Sequence, residues 1–216
     1  MSKSKALSFK WLGYDIIRVL GAPGLLWFRP KKYYLTEEAK KMTKGGALMI
    51  CNHISLFDPM YLMLSIWKRR HHFIAMSDLF QGKFKRWLFT KVFLCIEIDR
   101  NNFSMSSFRE ITNHLNDEEL VTMFPEGHVN VNEEGMQAFK GGMVLMAFRS
   151  GKPIIPVYLK RRKHFYSRIV VGVGNPVNVG DFVKGKMINS KEVEEVVNHL
   201  QEVEHQLEEL CENRKK

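Results

Sequence analysis

The sequence predicts a single α/β domain with a largely parallel mixed sheet flanked by helices, preceded by an N-terminal helical segment composed for a membrane interface. Three observations predict it. Apolar runs of strand length alternate with stretches of helical period, the order that builds a parallel sheet with covering helices. A chain of 216 residues supports one sizeable core of this kind and has no obvious room for two. Three polar clusters come directly after apolar runs, where an open α/β sheet presents its ligand-binding rim.

The first element is the segment 1–34, with the domain proper expected over 35–216. Trp11, Tyr14, Trp27, Phe28, Tyr33 and Tyr34 interleave with Lys10, Arg18, Arg29, Lys31 and Lys32, as in chains lying at a lipid surface. No small-residue cleavage site follows, and Asp15 and Arg18 interrupt the apolar stretch, so the segment reads neither as a signal peptide nor as a span. The competing reading is an amphipathic helix packed on its own domain.

Strands are expected at "ALMIC", "HFIAM", "FLCIEI", "LVTMF", "PIIPVYL" and "RIVVGVG". Helices are expected at "PMYLMLSIWKRR", "FKRWLFTKV", "SMSSFREITNHLN" and "GMVLMAFRSG", the last ended by Gly151 with Pro153 close behind. A final helix over about 190–213 carries Val193, Val196, Leu200, Val203, Leu207 and Leu210 at three-four spacing. Fewer than three heptads favour packing on the parent domain over a coiled coil.

The 33 Lys and Arg against 23 Asp and Glu give a formal charge of +10, which favours acidic partners: phosphate-bearing small molecules, an anionic membrane surface or nucleic acid. Three widely spaced cysteines, two of them inside apolar runs, imply no disulfide framework and suit a reducing compartment. The expected location is therefore the cytoplasmic face of a membrane, held peripherally or monotopically.

The sharpest question sits in "ALMICNHISLFDPM", where Asp58 follows His53 by five positions and immediately precedes Pro59. Asp58-Pro59 reads as a helix start, with Asp58 as N-cap and Pro59 at the first helical position. The same residues also suit a turn that folds Asp58 back onto the His53 ring, fixing one nitrogen as N–H and leaving the other basic, the arrangement of an oriented general base. Further clusters follow: Arg100 after "FLCIEI", Glu126-Gly127 after "LVTMF", and Lys140 ahead of Gly141-Gly142 and a helix start. A guanidinium fork, a glycine turn with backbone N–H groups and a lysine are suited to an anion such as phosphate.

"NHISLFD" (52–58), "EIDR" (97–100), "FPEG" (124–127) and "PIIPVYL" (153–159) resemble the four ordered motifs of the glycerolipid acyltransferases, the family of 1-acylglycerol-3-phosphate acyltransferases. The resemblance implies a membrane-associated enzyme of phospholipid biosynthesis, with His53 as base, Asp58 orienting it, and Arg100, Glu126 and Gly127 binding the acceptor's phosphate end. Lys140 is expected as a further phosphate contact. The co-substrate would be acyl-CoA or an acyl carrier protein and the acceptor a lysophospholipid, with no cofactor, no metal and no nucleic acid. One departure stands out: after Glu-Gly the family continues Thr-Arg-Ser, whereas this chain has His128, Val129 and Asn130. That removes the loop's cation and leaves either Arg100 and Lys140 to carry the phosphate, or a different lysolipid acceptor.

Backbone N–H groups in the turn after His53, or at the helix start near Pro59, are the expected donors to a tetrahedral oxyanion. Cys51, two residues before His53, offers a covalent route, although its apolar run makes it a buried thiol. The rival of a different class is a non-catalytic basic protein that binds anionic lipid or nucleic acid through "KRRHH", "KFKRW" and "KRRKH", runs that usually form solvated faces.

Overall fold

The computed structural model describes residues 9–41, 44–99, 104–130, 137–164 and 166–213. Seven strands form one sheet: β1 Lys31–Tyr34, β2 Ala47–Cys51, β3 His71–Met76, β4 Ile96–Ile98, β5 Leu120–Met123, β6 Ile154–Leu159 and β7 Val170–Val173. Their order is β1-β7-β6-β2-β5-β3-β4. The five strands from β6 to β4 run parallel, β7 is antiparallel to β6, and β1 is parallel to β7. The expected mixed, largely parallel sheet is present.

The helices are α1 Leu12–Phe28, α2 Glu37–Lys41, α3 Asp58–Ser65, α4 Lys83–Trp87, α5 Met105–Asn116, α6 Gly142–Ser150 and α7 Ser190–Asn213. Period-two alternation on β2 sorts the core: Ala47, Met49 and Cys51 pack with α1 and α3, while Leu48 and Ile50 pack with α5, α6 and α7. All five residues of β2 are buried, as a continuous apolar run in a parallel sheet requires. α7 lies along the domain, burying Val196, Leu200, Val203, Leu207 and Cys211. Gly151 closes α6 in the left-handed region at φ 63°, which explains why a glycine stands there.

Three features depart from the sequence reading. β1, counted in sequence with the N-terminal segment, brings Lys31–Tyr34 into the sheet as an edge strand beside β7. The stretch "FKRWLFTKV" is a short α4 running into a π-turn over Leu88–Val92 rather than one helix. His72, distant in sequence from His114 and Glu119, joins them so that their ligand-type atoms lie within 4.8 Å of one another at the amino end of β3 and β5. Lys10 joins that group, its Nζ 3.1 Å from Glu119 Oε1, and the Trp11 ring packs 4.7 Å from that of His72.

α1 packs one face on the domain, as the competing reading of the N-terminal segment expects, and leaves an apolar stripe outward. Trp11, just before it, with Tyr14 and Phe28 on one face, is buried against the domain. On the opposite face Leu12, Ile16, Val19, Leu20, Leu26 and Trp27 are exposed, a stripe about 120° wide by the 100° per residue of an α-helix. Among the described residues no helix is long and apolar enough to cross a membrane.

Candidate active site

Adjacent strands β2 and β5 send their chains in opposite directions: β2 crosses past β5 to reach β3, and β5 crosses past β2 to reach β6. Such a switch point opens a crevice beyond the carboxyl ends of the two strands. The loops that follow β2 and β5 meet there.

The β2 loop is built by side chains that replace missing backbone partners. Asn52 extends the β2–β6 ladder by one rung: its Nδ2 donates to the Leu159 carbonyl at 3.0 Å and its Oδ1 accepts from the Leu159 N–H at 2.7 Å. The backbone is then free to turn. Asp58, fully buried, points back into that turn, and its Oδ2 accepts from the N–H groups of Ile54 at 2.7 Å and Ser55 at 2.8 Å. The same oxygen lies 2.8 Å from His53 Nδ1. A carboxylate only accepts, so the network assigns the proton to Nδ1 and the lone pair to Nε2. α3 begins with no side-chain cap, so the capping reading of Asp58 is replaced by the turned-back one, while Pro59 keeps its place in the first turn.

The β5 loop supports the histidine from the other side. The Phe124 ring stacks on the imidazole at a centroid distance of 4.0 Å and 16° between planes. Glu126 Oε1 accepts the His53 N–H at 3.0 Å, and the Asn130 N–H donates to the His53 carbonyl at 2.7 Å. Glu126 was expected among the substrate contacts, but it is 2% exposed, so it holds the histidine's backbone from beneath. Burial raises the Glu126 carboxyl above its ordinary value, opposed by the His53 N–H bond. Gly127 turns at φ 76°, in the left-handed region that favours glycine, and the Lys140 amine lies against it, 2.8 Å from the position a Cβ would take. Lys140 is exposed beside that turn.

His53, Asp58, Glu126, Gly127 and Lys140 thus converge, while Arg100 lies outside the described residues. The N–H groups of Ile54, Ser55, Phe57 and Asp58 are all engaged inside the β2 loop, which removes them as oxyanion donors. Cys51 is fully buried, and burial pushes its thiol well above the ordinary value, which removes the covalent route. The arrangement left is a buried carboxylate, a histidine pinned at ring and backbone, and one ring nitrogen with no hydrogen bond among the described residues. It is built to take a proton from a hydroxyl.

The model of the family described as Acyltransferase matches residues 32–160, from β1 to just past β6, more than half of the chain. The chain belongs to the Acyltransferase family. Two curated acyltransferases resemble it: a 1-acyl-sn-glycerol-3-phosphate acyltransferase of Streptococcus pneumoniae, 28% identical, and a protein of the same description from Bacillus subtilis, 26% identical. The matches cover 82% and 77% of this chain, and span 66% and 85% of the respective relatives. Among solved structures, the 1-acyl-sn-glycerophosphate (LPA) acyltransferase PlsC of Thermotoga maritima superposes with a TM-score of 0.65 at 19% identity. That likeness covers 94% of this chain and 80% of PlsC, and shows that the acyltransferase fold is shared.

Within the acyltransferase site, sequence reasoning left three supports without a role: Asn52, Phe124 and Asn130. The first two stand inside the quoted motifs, and only strand ends and ring packing reveal what they do. Asn130 acts through its backbone, which leaves no signal in residue type.

Proposed function

We propose that the chain transfers a fatty acyl group from acyl-CoA or an acyl carrier protein to the hydroxyl of 1-acylglycerol-3-phosphate, giving phosphatidic acid. The observation that carries the reading is the His53–Asp58 pair, 2.8 Å apart on a fully buried carboxylate. An alcohol holds its proton too tightly to attack at neutral pH; His53 Nε2 removes it as the oxygen adds to the thioester carbonyl. Asp58 stabilises the imidazolium that forms. When the tetrahedral intermediate collapses, the carbon–sulfur bond breaks and the imidazolium returns the proton to the departing thiolate.

The acceptor's phosphate end lies toward the Gly127 turn, with Lys140 and Arg100 as its cations and Glu126 acting by holding His53. The lysolipid acceptor is supported by the names of the two curated relatives. The outward stripe of α1 and the exposed Leu56, Phe57 and Met60 beside the site support an anionic bilayer as the working surface, with the chain attached peripherally. The test is release of free thiol from palmitoyl-CoA with lysophosphatidate as acceptor. Wild type gives acceptor-dependent release, and His53→Ala abolishes it; release that ignores the acceptor would refute the reading.

A further inference from the structure

The resemblance to the acyltransferases implies no metal, yet the amino end of the sheet brings three metal-ligand side chains together. His72 stands on β3, His114 in the last turn of α5, and Glu119 just ahead of β5. α5 ends in a doubly bonded turn. The Glu118 N–H donates to the Leu115 carbonyl at 3.2 Å and the Glu119 N–H to the His114 carbonyl at 3.0 Å, with Glu118 in the left-handed region at φ 62°. That turn folds Glu119 back beside His114, whose Nδ1 lies 2.6 Å from Glu119 Oε2. The His72 ring packs on that of His114 at a centroid distance of 4.0 Å. Among the described residues no other group of three such side chains meets so closely.

Hydrogen bonding satisfies His114 and Glu119 and leaves His72 unmatched. His72 is 2% exposed, and its Nδ1 lies 2.8 Å from the Leu94 carbonyl. A carbonyl only accepts, so the N–H is at Nδ1, and Nε2 of the neutral ring carries a lone pair. That nitrogen is buried and makes no hydrogen bond among the described residues, although Glu119 Oε2 lies 3.1 Å away. A lone pair beside a carboxylate oxygen repels it, and a second proton on the ring would bury a cation, which desolvation opposes. A metal ion removes the conflict, because lone pair and carboxylate both become its ligands. An imidazole whose other N–H is held by a backbone carbonyl is also the form in which histidine binds metal, with tautomer and ring plane already fixed.

The donor set narrows the ion. Two imidazoles and a carboxylate, with no thiolate, suit a divalent ion of the zinc type, whereas calcium and magnesium take oxygen ligands. Ligand atoms about 2.0–2.1 Å from one tetrahedral ion stand roughly 3.3 Å apart, so the observed 2.6 and 3.1 Å separations need to open by less than about 1 Å. Lys10 is the competitor. Its Nζ lies 3.1 and 3.3 Å from the two Glu119 oxygens, and its side chain is 39% exposed, free to swing into solvent when an ion takes its place.

We infer that His72 Nε2, His114 Nδ1 and the Glu119 carboxylate form a structural binding site for a divalent zinc-type ion, which displaces the Lys10 ammonium from Glu119. With the ion bound, β3, α5 and the start of β5 are cross-linked beside the Trp11 ring, which packs 4.7 Å from that of His72. The seat on which the N-terminal helix begins is thereby fixed. The site lies at the end of the sheet away from His53 and does not depend on the acyl-transfer reading.

The experiment uses the full chain without an affinity tag, stripped of metal by a chelator, and titrates Zn2+ by calorimetry. Wild type takes up one Zn2+ per chain, and its melting temperature rises as Zn2+ is added. Histidine-selective 15N spectra locate the ion: the His72 Nε2 and His114 Nδ1 signals shift with Zn2+. His72→Ala and Glu119→Gln each raise the Zn2+ dissociation constant by about 10²-fold or more, beyond the 10- to 100-fold that loss of a ligand's supporting partner costs. Lys10→Met lowers it by about 10-fold, as removal of a competing charge requires. His205→Gln, which removes an exposed histidine paired with Glu208 on α7, leaves it unchanged.

Zn2+ that binds folded His72→Ala as tightly as wild type, or that is lost in His205→Gln instead, is held elsewhere on the surface and overturns the inference. Should His72→Ala and Glu119→Gln fail to fold, the wild-type spectra decide. No uptake of Zn2+, or His72 and His114 signals unmoved at saturation, overturns the inference; shifts confined to those two rings sustain it.

Discussion

Histidine meets carboxylate at both ends of the sheet. At the carboxyl end His53 faces Asp58; at the amino end His114 Nδ1 lies 2.6 Å from Glu119, with His72 Nε2 at 3.1 Å from the same oxygen. Distances hardly distinguish them. At the carboxyl end the carboxylate is pinned by two backbone N–H groups, and one imidazole nitrogen is left for a visitor. At the amino end Lys10 and two imidazoles converge on Glu119, and the Trp11 ring packs against His72. That group ties the start of the N-terminal helix to the domain. A histidine–carboxylate pair is therefore not in itself a sign of catalysis; what sets His53 apart is its place in the crevice beyond the carboxyl ends of β2 and β5.

The largest expected effect tests that distinction directly. His53→Ala lowers turnover by about 10²- to 10⁴-fold with little change in melting temperature, the usual worth of a general base. His114→Ala does the reverse, lowering the melting temperature while sparing turnover. Equal losses of turnover in two folded variants would erase the difference drawn here.

Asp58→Ala comes next, because it strands several donors at once. Turnover falls by about 10²-fold or more as the ring loses its orientation. Stability falls by about 1–3 kcal/mol for buried donors left unmatched, readable in urea titrations. A folded Asp58→Ala protein with wild-type turnover would show that the loop orients His53 without it.

Legibility in the sequence divides along the same line. The runs "ALMIC", "LVTMF" and "PIIPVYL" announce β2, β5 and β6 because burial on both faces leaves almost entirely apolar residues, Thr122 being buried with its hydroxyl paired to His71. β1 does not announce itself: "KKYY" is an edge strand with one residue facing the core, and its burial depends on β7 arriving from much later in the chain. His53 and Asp58 were visible as a pair, but cap and orienter both call for Asp58, and only the direction of its carboxylate separates them. Glu204 was hidden more deeply: it stands beside Val203 on a helix rich in glutamates, yet it is fully buried, and burial keeps its carboxyl well above the ordinary value. The Lys10–His72–His114–Glu119 group was illegible as a whole: His114 and Glu119 repeat the five-residue spacing of His53 and Asp58, but nothing local links them to Lys10 or His72.

A third test concerns the outward stripe of α1, which has no counterpart in the paired network beneath it. Leu20→Ser with Trp27→Ser weakens binding to anionic vesicles by about 10²-fold or more, at roughly 1.5–3 kcal/mol per side chain withdrawn from lipid. Turnover on a short-chain, water-soluble acceptor is spared. Unchanged co-sedimentation would move the anchor to another surface, such as the exposed Phe84 and Trp87 of α4.

The smallest effect is a pH dependence at the amino end. His71 is fully buried, and burial, assisted by Arg69 and Arg18, pushes its pKa down to about 3. The unfolded chain takes up a proton there near pH 6.5, and the folded chain does not. The neutral ring's contribution is therefore complete above about pH 6.5 and lost as pH falls toward 3, at about 1.4 kcal/mol per pH unit. Urea midpoints from pH 7 to 5 should fall more steeply for wild type than for His71→Gln. Parallel slopes would show that the acid sensitivity arises elsewhere.

α1 carries a further consequence for how the enzyme meets its substrate. If the outward stripe of the helix seats in lipid as proposed, the protein searches a plane rather than a volume, and a lipid acceptor and product share that plane. Rate then follows the mole fraction of acceptor in the surface: diluting vesicles in buffer leaves it unchanged, and diluting the acceptor with inert lipid slows it.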